Sequence, residues 1–164
     1  MASILNVDKI RANGSTTDAL TIDSSGRVLR PVIPAFHAKS SANVYKTVAE
    51  IVEYDTVTGT GCFNEGGHFS TTTHKFTAPV DGLYSFAAQL YSNNQVAANM
   101  HWYLNDDAVA SSYVNGTDDA SAYEGIEMSV LLKLTANDTV YIKSASSGYH
   151  LNSSYSYFCG YLVG

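Results

Sequence analysis

Pro79 and Gly82, three residues apart, divide two strand-like arms in Phe76-Thr77-Ala78-Pro79-Val80-Asp81-Gly82-Leu83-Tyr84-Ser85-Phe86. The proline ring fixes the backbone at Pro79 and pushes Ala78 toward an extended conformation. Gly82 is free to take the positive φ that closing a tight turn often requires. Beyond the turn, Leu83 to Phe86 favour a strand whose alternation sends Tyr84 and Phe86 to one face. Upstream, Phe63-Asn64-Glu65-Gly66-Gly67-His68-Phe69 supplies a second glycine-punctuated aromatic segment.

From Pro34 onward, short β segments separated by turn residues recur to the C-terminus. They are expected at Ala35 to Ala38, Val44 to Val52, Gly61 to Asn64, Thr73 to Thr77, Gly82 to Tyr91, Asn99 to Asn105, Ala108 to Val114, Tyr123 to Leu134, Thr139 to Ser144 and Tyr155 to Val163. No amphipathic helix interrupts them and no repeat of solenoid or propeller length appears, which predicts an all-β sandwich or jelly roll. With 164 residues, 45% hydrophobic and 15% charged, the chain suits one globular β domain with a short appendage. That appendage is residues 1–34, and the domain is 35–164. Ala19 to Asp23 and Arg27 to Leu29 flank a Ser24-Ser25-Gly26 loop, so the arm reads as a β-hairpin. Such a hairpin needs a partner surface, for which Leu20, Ile22, Val28 and Leu29 supply the apolar anchors.

Charge and motif content exclude several functions. A net charge of −6, with nine Lys and Arg scattered singly, leaves no basic stripe for nucleic acid. No apolar run is long enough to cross a bilayer. The opening Met1 to Asp8 lacks the basic and apolar regions of a leader, so the expectation is synthesis in the cytoplasm without a signal peptide. Cys62 and Cys159 are too few for a metal knuckle and read as free thiols packed in strands, with a single disulfide as the alternative. His37, His68, His74, His101 and His150 form no ligand pair at helical spacing. Among Glu50, Glu53, Glu65, Glu124 and Glu127, nothing singles out a catalytic pair. Phosphate-binding, zinc-protease and nucleophile-elbow motifs are absent. No enzymatic activity and no cofactor are expected.

The two aromatic segments together resemble the C1q-like domain, a relative of the tumour-necrosis-factor fold. The matching positions are Phe63, Asn64, Gly66 and Gly67, then Phe76, Pro79, Gly82, Tyr84 and Phe86. The resemblance continues through Leu131 to Tyr141, where Asn137 stands in place of the usual glycine, and through Phe158 and Gly160 in the last strand. It implies a jelly-roll β-sandwich assembled as a homotrimer. It further implies that Phe158 and Leu162 fill the sandwich, while Tyr103, Tyr157 and Tyr161 are candidates for the subunit interface. Some C1q-like trimers bind calcium, which would suit the doublets Asp106-Asp107 and Asp118-Asp119. Solvated turn formers are the alternative reading of the same residues.

Three polar segments, 92–98, 115–124 and 146–154, read as exposed loops. Asp118, Asp119, Tyr123, Tyr149 and His150 are their candidate receptor residues. Residues Ile22-Asp23-Ser24-Ser25-Gly26-Arg27-Val28, with the Pro34-Ala35-Phe36 junction, resemble the N-terminal leaders of small bacteriophage structural proteins. The resulting expectation is a trimeric fibre or spike head at the virion surface. It would be anchored to other virion proteins through the arm and would bind a host surface glycan or protein. The alternative is a trimeric capsid decoration protein that clamps shell subunits through the same arm.

Overall fold

Both sides of the Ser24-Ser25-Gly26 loop form strands. The computed structural model describes residues 6–30, 32–46, 50–93, 98–114, 123–144 and 149–164, with the backbone alone at 92, 93, 98, 123 and 124. The chain divides into two compact units, Met1–Ile33 and Pro34–Gly164. In the first unit, β1 (Lys9–Ile10), β2 (Leu20–Ile22) and β3 (Val28–Leu29) form an antiparallel sheet in that order. Gly26 closes the loop at φ 79°, and Asp23 Oδ1 accepts the amides of Ser25 and Arg27 at 2.9 Å. The sequence reading did not include β1, which is only two residues long. It pairs through Lys9 with Thr21 and Ile10 with Leu20, while Lys9 and Arg11 both engage Asp18.

Alternation and register place Ile10, Leu20, Ile22 and Val28 on one face of this small sheet. Leu29 lies on the other face with Thr21 and Lys9. Ile10, Ile22, Val28 and Leu29 are all exposed.

The second unit contains β4 (Ala35–Lys39), β5 (Val44–Lys46), β6 (Phe63–Glu65), β7 (Phe69–Ser70), β8 (Lys75–Thr77) and β9 (Gly82–Asn93). These are followed by β10 (Ala98–Leu104), β11 (Asp107–Val114), β12 (Tyr123–Leu134), β13 (Thr139–Ser144), β14 (Tyr149–Leu151) and β15 (Tyr157–Leu162). No helix occurs among the described residues. In the larger sheet, β9 is the spine. Strand β12 pairs along its whole length, β15 and β14 share its other side, β4 and β6 lie beyond β15, and β5 lies beyond β14. The smaller sheet runs β11-β10-β13-β8-β7.

The core is aromatic. Phe36, Tyr84, Phe86 and Phe158 from the larger sheet meet Phe76, Trp102, Met100 and Ile142 from the smaller one, each at most 1% exposed. Phe36 stacks on Phe69 at 4.7 Å and meets Phe158 edge-on at 4.8 Å, geometries that add to the area buried. Gly160 makes this packing possible, because a Cβ there would run into the Phe86 ring and lie 3.1 Å from Phe36.

The two sequence motifs close in different ways. Asn64 bridges its turn with one amide: its Nδ2 donates to Phe69 O at 2.8 Å and its Oδ1 accepts from Phe69 N at 3.1 Å. Gly66 and Gly67 take φ values of 81° and 74° between them. Gly82, by contrast, does not take a positive φ. Close approach explains the residue, since a Cβ would meet Leu162 Cδ1 at 2.6 Å and Gly164 O at 3.2 Å. The turn is tied down by Tyr84 Oη donating to Val80 O at 2.9 Å. Ala136 N also donates to Asp81 Oδ1 at 2.8 Å, and Asn137 N to Ala78 O at 2.7 Å. Asn137 occupies the left-handed region at φ 76°, which Asn tolerates better than most residues.

A continuous strand from Val44 to Val52 is not formed. Strand β5 ends at Lys46, and Ile51 makes an isolated bridge to Lys143. The segment crosses from the smaller sheet to the larger: Ser144 N donates to Glu50 O, Val52 N to Ile142 O and Lys39 N to Thr56 O. Val52 and Tyr54 are fully buried on the way.

Gly160→Ala is expected to cost about 2–3 kcal/mol through overpacking. Gly67→Ala, strained in backbone but open in space, should cost about 1 kcal/mol. Urea denaturation of both variants checks the ranking, and a Gly160→Ala protein as stable as the parent would contradict this packing.

Candidate functional site

The larger sheet has one face in the core, and among the described residues of this unit no strand covers the other. Because Phe158 and Gly160 point inward, Tyr157, Cys159 and Tyr161 of β15 point outward. Register sets their neighbours. Cys159 lies between His37 and Ala87, with Phe63 beyond His37 and Ser129 beyond Ala87. Tyr161 lies between Ala35 and Ser85, with Leu131 next in line. Phe63, Leu131 and Tyr161 are 43%, 60% and 52% exposed. Large apolar side chains left in water across one sheet face mark an interaction face.

Polar contacts within this face are specific. Tyr157 Oη donates to Glu127 Oε1 at 2.8 Å, and burial together with that neighbouring carboxylate raises the phenol to about 12. The His37 ring stacks on Tyr157 at 5.6 Å, and its Nδ1 is buried without a hydrogen-bond partner among the described residues. Burial, then the Lys39 charge, lowers its pKa from 6.5. Burial pushes the Cys159 thiol up, and Cys62 and Cys159 are both free.

At one end of the same face, Tyr45 stacks on His150 at 4.1 Å and Tyr91 lies 5.6 Å from Tyr155. Here the loop reading of 146–154 is corrected at Tyr149–Leu151 alone, since 152–154 form a turn and 146–148 lie outside the described residues. Tyr149 and His150 are buried at 4% and 2% exposure in β14, which is inserted between β5 and β9. Tyr149 Oη accepts from Glu53 N at 3.2 Å and donates to Ile51 O at 3.3 Å, and burial raises its pKa. These two residues hold the sheet rather than meet a receptor. The Ser- and Asn-rich sequence around them hid a strand, and the adjacent apolar Leu151 was the available signal. Asp118 and Asp119 lie outside the described residues, as does the side chain of Tyr123, whose backbone begins β12 opposite Asn93.

Tyr103 is separated from Tyr157 and Tyr161, because β10 belongs to the smaller sheet and its outward residues face the opposite way. It stacks on Tyr141 at 5.2 Å and 14°. Lys75 Nζ lies 4.1 Å over the Tyr141 ring and Lys143 Nζ lies 5.8 Å over Tyr103. His101 is opposite Lys143 across the strand pair. Burial, and secondarily the Asp106 charge, raises the Tyr141 pKa. Sequence reasoning did not find this lysine–tyrosine ladder, because β8, β10 and β13 bring it together from three separated segments. Among the described residues, no group of three or more His, Cys, Asp or Glu side chains is placed to hold a metal.

Comparison with known proteins follows the same outline. A model of the C1q domain matches residues 35–163. Complement C1q tumor necrosis factor-related protein 6 of Rattus norvegicus is 31% identical over 80 residues, covering 49% of this chain and 29% of that protein; the Mus musculus protein gives the same figures. The match therefore spans less than a third of these relatives' length. Among solved structures, Eiger TNF from S. frugiperda superposes with TM-score 0.63 at 12% identity, covering 82% of this chain and 94% of its own. The globular domain of zebrafish complement 1qA protein does so with TM-score 0.54 at 19% identity, covering 80% and 98%. At these identities the structural likeness is one of fold.

The lowered His37 pKa sets a direction of pH dependence. A histidine held neutral by the fold costs nothing above its ordinary value of 6.5 and destabilises as the unfolded chain takes up protons below it. Stability should therefore be full above pH 6.5 and decline as pH falls toward the folded pKa. Thermal melts between about pH 8 and pH 5 should show a smaller decline in His37→Gln; an identical profile would contradict the burial of a neutral imidazole here.

Proposed function

Because the chain belongs to the C1q domain family, whose members are generally non-enzymatic and whose domains form homotrimers, we propose that it is a three-fold binding head of a bacteriophage virion. The observation that carries the assembly is the outer face of the larger sheet. Phe63, His37, Tyr157, Tyr161 and Leu131 lie on this face together with the charged Lys39, Glu65, Glu127 and Lys133, of which Lys39 is half-buried. Three copies sharing such faces would bury the aromatic rings and leave the smaller sheets pointing outward. Weak ligand contacts on those sheets would be multiplied by three.

The N-terminal unit supports the virion reading in two ways. Its sequence resembles phage structural leaders, and Ile10, Leu20, Ile22 and Val28 share an apolar face, while none of this unit's described residues belongs to the buried core. In this reading the arm seats the head on other virion proteins, and the head meets a host surface glycan or protein without chemistry. The exposed apolar arm fits equally a decoration protein clamping shell subunits, which is the second reading. Synthesis in the host cytoplasm and residence at the virion surface follow from either.

Light scattering should return about three times the 17.6 kDa of one chain. Leu131→Asp, at a position 60% exposed in the single chain, should leave each head folded and lower the measured mass. A trimer unaffected by that charge would sink the proposed interface. A head lacking residues 1–34 should still fold and trimerise but fail to enter particles. Gold labelling of intact particles separates the readings, since label on the capsid lattice would replace the fibre head with the decoration protein.

A further inference from the structure

We infer that the outward face of the smaller sheet is a binding platform for an acidic saccharide, built from Tyr103, Tyr141, Lys75, Lys143 and His101. The inference rests on the three-fold head proposed above and gives that head a ligand class. Most basic side chains near carboxylates are already engaged: Lys9 and Arg11 with Asp18, Arg27 with Asp23, and Lys46 with Glu50 and Glu53. Lys75 and Lys143 make no ion pair among the described residues. Each is held over a tyrosine ring instead, which fixes the ammonium group and leaves donors for an incoming anion.

The geometry suits a sugar ring. Tyr141 and Lys143 are two apart on β13 and share its outward face, with Tyr103 and His101 opposite them on β10. Lys75 lies beside Tyr141 on β8. The block covers three strands, roughly 10 Å across, and two residues of strand length, roughly 7 Å, which is the footprint of one or two pyranose rings. Tyr141 is itself buried between the Tyr103 ring and the Lys75 ammonium, so the C–H face of a pyranose packs on the half-buried Tyr103, while its carboxylate or sulfate takes the lysine donors.

The turn at Asp106, leading into Asp107 of β11, bounds the Tyr103 end of the patch. A bulge at Trp102/Tyr103 brings the exposed Val109 alongside, and bulges of this kind re-aim side chains at binding edges. The patch is far smaller than the roughly 800 Å² a stable protein partner covers. Two lysines in a chain of charge −6 also fall short of a nucleic-acid track.

Isothermal titration of the full chain tests this with tetragalacturonate, a chondroitin sulfate tetrasaccharide, neutral galactotetraose and a phosphoserine peptide. An acidic saccharide should bind, galactotetraose at least about tenfold more weakly, and Lys75→Gln or Lys143→Gln should each weaken binding several-fold. Tyr103→Ala should remove it, and added salt should weaken it. Unchanged melting temperatures in the lysine variants exclude misfolding as the cause. The proposal is overturned if neither acidic saccharide binds, if galactotetraose or the phosphopeptide binds as tightly, or if the double lysine variant retains full affinity.

Adsorption of labelled chain to host cells keeps the two readings apart. Equal adsorption of parent and double lysine variant removes the platform and leaves the adhesive head. Saccharide binding without any adsorption removes the adhesive head and leaves the platform.

Discussion

The bare Cα of Gly160 against the Phe86 and Phe36 rings is the contact on which the remaining architecture depends. It joins β15 to both of its neighbours, β9 and β4, and admits two aromatic rings where a side chain would exclude one. It also fixes register. With Phe158 and Gly160 turned inward, strand alternation leaves Tyr157, Cys159 and Tyr161 no direction but outward, and a slip of one residue would exchange the two sets. The surface that this chain offers to its copies is thus a consequence of how its core is packed.

The same alternation works in the smaller sheet with a different result. Met100, Trp102 and Leu104 go toward the core, so His101 and Tyr103 go outward, where Lys75, Tyr141 and Lys143 join them from the neighbouring strands. One sandwich therefore carries two unlike outer faces. The larger sheet's is mainly aromatic, which favours burial against copies of itself. The smaller sheet's is aromatic and cationic, which favours a small anionic ligand. Tyrosine serves both because it combines apolar area with a polar tip.

Local patterns were legible in the sequence wherever one short segment contained all the physics. Strands β12 and β13 begin and end where alternation and turn residues predict. The Asn64 and Asn137 turns follow from side chains that replace or tolerate special backbone. Reading failed where the determinant came from elsewhere in the chain. Gly82 was assigned to backbone conformation, whereas Leu162 and Gly164, eighty residues away, set its size. Tyr149 and His150 sit among serines that suggest a loop, yet β5 and β9 recruit them as a buried strand. Tyr103 was grouped with Tyr157 and Tyr161 as an interface candidate, and only sheet order separates them. Which tyrosines share a face is decided by register, and register is a long-range property.

Hydroxyl-radical footprinting of the intact chain in solution, read by mass spectrometry, tests the division between the two faces most directly. Tyr161 and Leu131 on the larger sheet and Tyr113 and Val109 on the smaller one are all substantially exposed in the single chain. The expected result is that Tyr161 and Leu131 are protected while Tyr113 and Val109 are oxidised. Equal oxidation of all four, or protection of the smaller sheet instead, would contradict the account.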